Sequence, residues 1–120
     1  MKYRGWAYID HMVQTCEELF VCMQGINSPE DLKSSIIARR AVVMCLLDLG
    51  EMFKNLTDKE LSEYPSEHWQ KISGFRNRAA HGYLELDFSY VYQIVTNRVP
   101  PLYAFLKEKA ASMEDPYNGV

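Results

Sequence analysis

Residues 36–56 read IIARRAVVMCLLDLGEMFKNL, and this stretch decides the fold class of the chain. Its apolar residues recur at intervals of three and four, which is the period of an α-helix. They are numerous enough to predict a helix that is buried on more than one side, like the central helix of a small bundle. Gly50 interrupts the pattern at a cost of about 1 kcal/mol relative to alanine. We expect a notch at this glycine, where a neighbouring helix packs closely.

Signals for helix starts lie on both sides of this stretch. Ser28 offers a capping hydroxyl, Pro29 suits a first helical position, and two acids follow, so the central helix is predicted to begin near Ser28. Residues 57–60 (TDKE) have the spacing of a capping box and predict a short helical turn, with Leu56 positioned to pack on Leu61.

The flanking segments have helical spacing too. A first helix is predicted to carry apolar residues from Trp6 to Met23 and to end near Gly25. Pro65 and Ser66 are predicted to open a helix that ends near Gly82. Asp87 is expected to cap a last helix, which Pro100 and Pro101 should kink or divide. Strand-like alternation of useful length is missing from the sequence, so we predict an all-α, up-and-down bundle of four to five helices.

Length and composition limit the classes of protein further. The 120 residues, 48% of them hydrophobic and 24% charged, indicate one globular domain, which we place at residues 1–113 with a frayed tail at 114–120. The longest apolar run, residues 41–47, is far shorter than the roughly 20 residues of a membrane span. Without a signal-peptide pattern after Met1, we expect a cytoplasmic protein. Three cysteines without a C-x-x-C pair argue against a disulfide framework and a zinc site, and no cofactor is expected.

One segment of this acidic chain, which has a net charge of −3, is basic. No acid occurs between Glu67 and Glu85, a stretch that contains Lys71, Arg76, Asn77, Arg78, His81 and Tyr83. Cleavage of a phosphodiester by a ribose 2′-hydroxyl needs a fixed cation for the phosphate charge and a group that exchanges a proton near neutral pH. Arg76 and His81 are residues of these types. On a straight helix they lie about 7.5 Å apart along the axis and about 140° around it, which is too far apart for both to contact one phosphate oxygen. A dimer cleft that supplies the motif twice would relax this geometry.

On spacing alone, an arginine and a histidine five residues apart more often belong to a solvated helix face or to a structural hydrogen bond. The full string carries more information. Residues 75–83, FRNRAAHGY, resemble the HEPN superfamily and in particular its HepT-like branch, whose mark is Arg-x-x-x-x-His-x-Tyr with a polar residue after the arginine. Residues 48–51, DLGE, are similar to the Ile-Gly-Glu segment of the family's second helix. The resemblance covers roughly residues 36–108.

This resemblance implies a homodimeric helical bundle that cleaves RNA without a metal ion. Arg76 would bind and stabilise the scissile phosphate, and Asn77 would help to position it. His81 would act as the acid–base residue, leaving a cyclic phosphate. Tyr83 occupies the position that receives adenylyl groups from a partner, a minimal nucleotidyltransferase that serves as antitoxin. The attached phosphates would repel RNA from the cleft and neutralise the toxin.

Several residues remain open at this level. Val43 and Met44 stand where relatives of this kind are expected to carry charges. Glu51 either orients a motif arginine across the helix pair or caps nothing. Arg78 is either a second phosphate contact or a solvated charge, and Lys71 is expected to lie on the surface. His11 and His68 lack metal-ligand spacing and are interpreted as structural.

Two other functions compete with the ribonuclease hypothesis. The chain could be a non-catalytic subunit that binds a nucleotidyltransferase and presents Tyr83 or a nucleotide to it. It could also be a bare interaction module in which Arg76 and His81 stabilise a dimer interface, although the completeness of the motif makes this the weakest hypothesis. All three predict the same fold, and RNA turnover distinguishes the first from the others.

Overall fold

The computed structural model describes residues 2–79 and 86–113, with side chains from residue 5 onward, and every regular element in these ranges is helical. The all-α prediction is therefore confirmed. The helices are α1 (Lys2–Cys22), α2 (Pro29–Ser34), α3 (Ile36–Lys54), α4 (Asp58–Leu61), α5 (Gln70–Ala79), α6 (Phe88–Asn97) and α7 (Val99–Ser112), with a 3₁₀ turn at Ser66–His68. The predicted tail at 114–120 lies outside the described residues.

Local capping explains most of the helix starts. The Ser28 hydroxyl accepts from the Asp31 N–H at 3.1 Å at the start of α2. A complete capping box opens α4, since Thr57 and Glu60 each accept from the other's backbone N–H. Asp87 caps α6 by accepting from the Ser89 N–H at 2.9 Å. Gly25 follows α1 with a φ of 80°, in the left-handed region that glycine adopts easily.

The predicted central helix is broken at Ser35, which the sequence analysis did not anticipate. The Ser35 backbone is extended, and its N–H donates to carbonyls at the end of α2, while its hydroxyl accepts from the Ala38 N–H at the start of α3. One serine therefore ends one helix and begins the next. The division of the last helix is confirmed, because α6 ends at Asn97 and α7 begins just before Pro100.

The core is centred on α3, which packs against α5 on one side and α1 on another. Helix α7 packs on α1 and α6, and α2 packs on α6. The largest side chains that are fully buried come from six helices and include Met12, Leu19, Leu32, Leu46, Leu49, Phe53, Ile72, Phe75, Val91 and Leu102. Burial of α3 from two sides agrees with the apolar density of residues 36–56.

The three cysteines are free thiols within or beside this core. Cys16 is fully buried, and Cys22 and Cys45 are half-buried. Burial raises the pKa of the Cys16 and Cys45 thiols to about 12, so both remain protonated near neutral pH. None of the described helices is long and apolar enough to cross a membrane.

Candidate active site

The basic segment begins on α5, whose position is set by its apolar face. Ile72 and Phe75 are fully buried against the core and fix the rotation of the helix. Arg76 follows Phe75 and is directed toward α3, with its side chain 25% exposed. The helix is described as far as Ala79, so His81 and Tyr83 lie outside the described residues and their predicted roles rest on the sequence.

Gly50 on α3 lies against Arg76 on α5. A Cβ atom at position 50 would lie 2.5 Å from the Arg76 Cβ and 3.0 Å from its Cγ, with the Ile72 carbonyl oxygen at 3.3 Å. Cβ contacts as short as the first of these distances are essentially never seen in proteins, so a side chain at position 50 would force the neighbouring atoms to shift. The notch predicted at Gly50 is therefore present, and the stem of Arg76 lies in it.

Glu51, next to this notch, holds the head of the same arginine. Its Oε2 accepts from Arg76 Nε at 3.1 Å and from Nη2 at 2.9 Å, across 25 positions of sequence. The sequence left the role of Glu51 undecided, and the structure shows that it orients the motif arginine. A charge-assisted pair of this kind is directional, so it fixes the plane of the guanidinium.

Asn77 completes the immediate surroundings of Arg76. Its Oδ1 accepts from Arg76 Nη1 at 3.4 Å, which is a long hydrogen bond. A guanidinium has five N–H donors, and these contacts use three of them. Within the described part of the chain two donors remain for an incoming anion. Arg76 is thus fixed by its neighbours and can still bind a phosphate oxygen.

Arg78 belongs to a different face of α5. Two residues along an α-helix correspond to a rotation of about 200°, which directs Arg78 away from Arg76. Its guanidinium carbon lies 4.9 Å from the centre of the Tyr90 ring on α6, within cation–π range. The structure therefore brings Arg76 and Asn77 together and separates Arg78 from them.

A second polar cluster lies one turn away from Glu51 on α3. Asp48 Oδ2 contacts His11 Nε2 at 2.7 Å and accepts from the Thr15 hydroxyl at 2.8 Å. Thr15 is buried and His11 is exposed, so this cluster joins α1 to α3 at the surface. Asp48 belongs to the DLGE segment, and its spacing of three from Glu51 is the sequence signal that places both on one helix face.

Within residues 2–79 and 86–113, no three histidine, cysteine, aspartate or glutamate side chains are grouped so that they could hold a metal ion. The chemistry available from the described residues is that of an oriented cation, Arg76, with an amide beside it. Such a group binds phosphate and stabilises negative charge that develops on it.

Comparison with known families places this geometry in context. A family model described as "Ribonuclease HepT-like" matches residues 9–108. The chain belongs to the HepT-like ribonuclease family. This membership confirms the resemblance of the RNRAAHGY segment to HepT-like proteins within the HEPN superfamily, and it covers most of the described helices.

Individual relatives of this HepT-like chain are also named as ribonucleases. A protein of Caldanaerobacter subterraneus subsp. tengcongensis named "Putative RNase" is 28% identical over 101 residues, which are 84% of this chain and 89% of the relative. A protein of Methanocaldococcus jannaschii with the same designation is 31% identical over 94 residues, 78% of this chain and 77% of the relative. No solved structure matches the chain significantly.

Proposed function

We propose that this protein is an endoribonuclease that cleaves RNA by attack of a ribose 2′-hydroxyl, without a metal ion. Membership of a ribonuclease family and the names of its relatives support the assignment to ribonucleases. The observation that carries the proposal is Arg76, which Gly50 and Glu51 hold in one orientation with two N–H donors uncommitted among the described residues. A preoriented cation of this kind stabilises a transition state because little reorganisation remains to be done.

In the proposed reaction the 2′-oxygen attacks the adjacent phosphorus while His81 removes its proton. Negative charge increases on the non-bridging oxygens of the five-coordinate phosphorus, where Arg76 donates its free N–H groups. The 5′-oxygen of the next nucleotide leaves and takes up a proton. The products are a 2′,3′-cyclic phosphate and a 5′-hydroxyl end. A positioned acid–base group contributes a factor of about 10² to 10⁴ in rate.

A homodimer is the second part of this proposal. Ile37 and Met44 are 84% and 66% exposed, and with Glu51 they recur every seven residues along α3. A heptad spacing keeps residues on nearly one face of a helix. The exposed apolar surface of α3 therefore leads directly to the Glu51–Arg76 pair. Pairing of two copies through this face would bring two motifs to one cleft. Met44, where a charge was expected, fits this role, whereas Val43 is buried in the core.

Regulation forms the third part. In the proposed toxin–antitoxin module, a minimal nucleotidyltransferase transfers an adenylyl group from ATP to the Tyr83 phenol, and pyrophosphate leaves. Each attached phosphate adds negative charge beside the cation that binds the scissile phosphate. Repulsion and bulk then exclude RNA from the cleft.

The proposal is tested by a cleavage assay on mixed RNA in EDTA, with protein whose intact mass shows an unmodified Tyr83. The matched variant is His81→Ala. The parent is expected to cleave and the variant to lose at least about 10²-fold in rate. Equal cleavage by both would remove His81 from the mechanism. Absence of cleavage by the unmodified parent would favour the non-catalytic subunit of a nucleotidyltransferase.

A further inference from the structure

A cleft of about 160 Å³ lies between α5 and α6, on the side of α5 that faces away from Arg76. The residues that line it are Lys71, Tyr90, Gln93, Ile94, Asn97 and Arg98. Cofactor and drug-sized ligands occupy pockets of about 300 to 1,000 Å³, so this cleft is too small for one of them. A cleft of this size that is open to solvent suits a short segment of a polymer that continues beyond it.

The chemistry of the lining is cationic and polar. Lys71 and Arg98 supply two positive charges, Gln93 and Asn97 supply amides, and no carboxylate is among the described residues that line the cleft. Arg78 supplies a third positive charge beside the cleft, because its guanidinium lies over the ring of Tyr90. Cations with an aromatic ring and amides are the groups that bind a single-stranded nucleic acid.

Gly74 keeps the surface between two of these cations open. Lys71, Gly74 and Arg78 are separated by three and four residues, so they form one stripe along α5. A Cβ at position 74 would have no atom within 4 Å, in contrast to the crowded notch at Gly50. Packing therefore does not require this glycine. The bare backbone leaves a shallow path between the side chains of Lys71 and Arg78.

We propose that the α5–α6 cleft and the Lys71–Gly74–Arg78 stripe bind the sugar–phosphate backbone of single-stranded RNA next to the bond that is cleaved. This inference rests on the proposed ribonuclease function and adds the surface on which the substrate lies. Lys71, Arg78 and Arg98 pair with phosphates, and the amides of Gln93 and Asn97 meet ribose hydroxyls and base edges. The bound strand crosses α5, a width of about 10 Å, to reach Arg76 on the other side.

The first test measures binding of a fluorescein-labelled oligouridylate by anisotropy, over a range of salt concentrations. The variant is Lys71→Gln with Arg98→Gln. Its control is Lys59→Gln with Lys107→Gln, which removes the same charge from exposed positions outside the cleft. Loss of two phosphate contacts lowers the slope of the logarithm of the binding constant against the logarithm of the salt concentration by about 1.4. It also weakens binding roughly twentyfold at 0.1 M salt. The control is expected to bind within about twofold of the parent.

The second test uses Gly74, where the open surface accepts a larger side chain. Gly74→Glu places a carboxylate between Lys71 and Arg78, and Gly74→Gln is its neutral isostere. Both variants gain helix propensity relative to glycine. We expect the glutamate variant to bind RNA at least tenfold more weakly than the glutamine variant. Equal affinities for the two would overturn the stripe as a path for phosphates.

Binding and cleavage together separate this inference from the ribonuclease proposal. If the parent cleaves RNA and the cleft variant retains both its affinity and its salt slope, the cleft assignment is wrong and the ribonuclease stands. If the parent binds RNA through the cleft without cleaving it, the cleft stands and the ribonuclease proposal falls. If the parent neither binds nor cleaves RNA, both are wrong.

Discussion

Arg76 is held at both ends of its side chain. Its stem lies in the notch of Gly50, and its head is paired with Glu51 and contacted by Asn77. The Arg76 and Glu51 side chains are 25% and 48% exposed, and an ion pair at such a surface contributes little to stability, about 0 to 1 kcal/mol. The function of the pair is therefore orientation of the guanidinium.

The Glu51→Gln variant tests this positioning role. Without the carboxylate, the guanidinium samples other orientations, and we expect kcat for RNA cleavage to fall by about tenfold to a hundredfold. Affinity for RNA should stay the same or increase, because one negative charge near the substrate is removed. Single-turnover rates and binding isotherms measure the two effects. A parallel loss of affinity and rate would indicate a structural role for Glu51 instead.

Helix packing in this protein depends on two glycines with opposite surroundings. Gly50 on α3 faces the stem of Arg76 at a distance that excludes any Cβ, whereas Gly74 on α5 faces open space. Both are inside helices, where glycine costs about 0.5 to 1 kcal/mol relative to alanine. The cost at position 50 is offset by the close approach of α3 to α5.

The same substitution should thus have opposite effects at the two sites. Gly50→Ala forces α3 and α5 apart and is expected to lower the free energy of unfolding by about 1 to 3 kcal/mol. Gly74→Ala is expected to raise it by about 0.5 to 1 kcal/mol. Urea denaturation followed by circular dichroism measures both. Stabilisation by Gly50→Ala would contradict the close packing at the notch.

Tyr64 joins α3 and α7 through its ring. The ring packs edge-to-face on Phe53 of α3 and lies 5.5 Å from the ring of Phe105 on α7. Burial, with Glu63 and Glu60 nearby, raises the pKa of Tyr64 to about 12. The folded state therefore favours the neutral phenol, and this contribution to stability is complete below pH 10 and is lost as the pH rises from about 10 to about 12.

Tyr64→Phe keeps the ring contacts and removes this titration. The parent is expected to lose more unfolding free energy than the variant between pH 10 and pH 12, while the difference between them stays constant from pH 7 to pH 9. The buried cysteines titrate in both proteins and cancel in the comparison. Parallel curves through pH 12 would show that burial of Tyr64 does not disfavour its ionisation.

The features that could be predicted from the sequence are those that neighbouring residues determine. The caps at Ser28, Thr57 and Asp87 depend on neighbouring residues, and the identity of Arg76 came from a short motif. The break at Ser35 was missed because the apolar period continues across it, although a serine before Ile36 and Ile37 is a possible N-cap.

Interactions between distant residues could not be predicted in the same way. The Glu51–Arg76 pair spans 25 residues, and the cleft combines Lys71 on α5 with residues of α6. Their side chains meet only after α3, α5 and α6 pack together. The sequence left Arg78 open between a phosphate contact and a solvated charge, because the Tyr90 ring is twelve positions away and on another helix.

The exposed apolar face of α3 determines the proposed assembly of the protein. Ile37→Glu with Met44→Glu places two charges on the face that we assign to the second copy. The variant is expected to sediment as a monomer and to lose RNA cleavage. Val21→Glu, at an exposed apolar position on α1 outside this heptad, is the control and should remain dimeric. A dimeric double variant would move the interface elsewhere.

In the proposed site Arg76 stabilises the reacting phosphate, while Arg78, two residues away, binds the strand. Single-turnover cleavage at limiting and saturating RNA, with Arg76→Gln and Arg78→Gln in parallel, distinguishes these two roles. Arg76→Gln is expected to lose about 10² to 10³ in rate even at saturation. Arg78→Gln should recover the parent rate when RNA is saturating. Equal losses at saturation, or a larger loss for Arg78→Gln, would show that the two arginines do not have these separate roles.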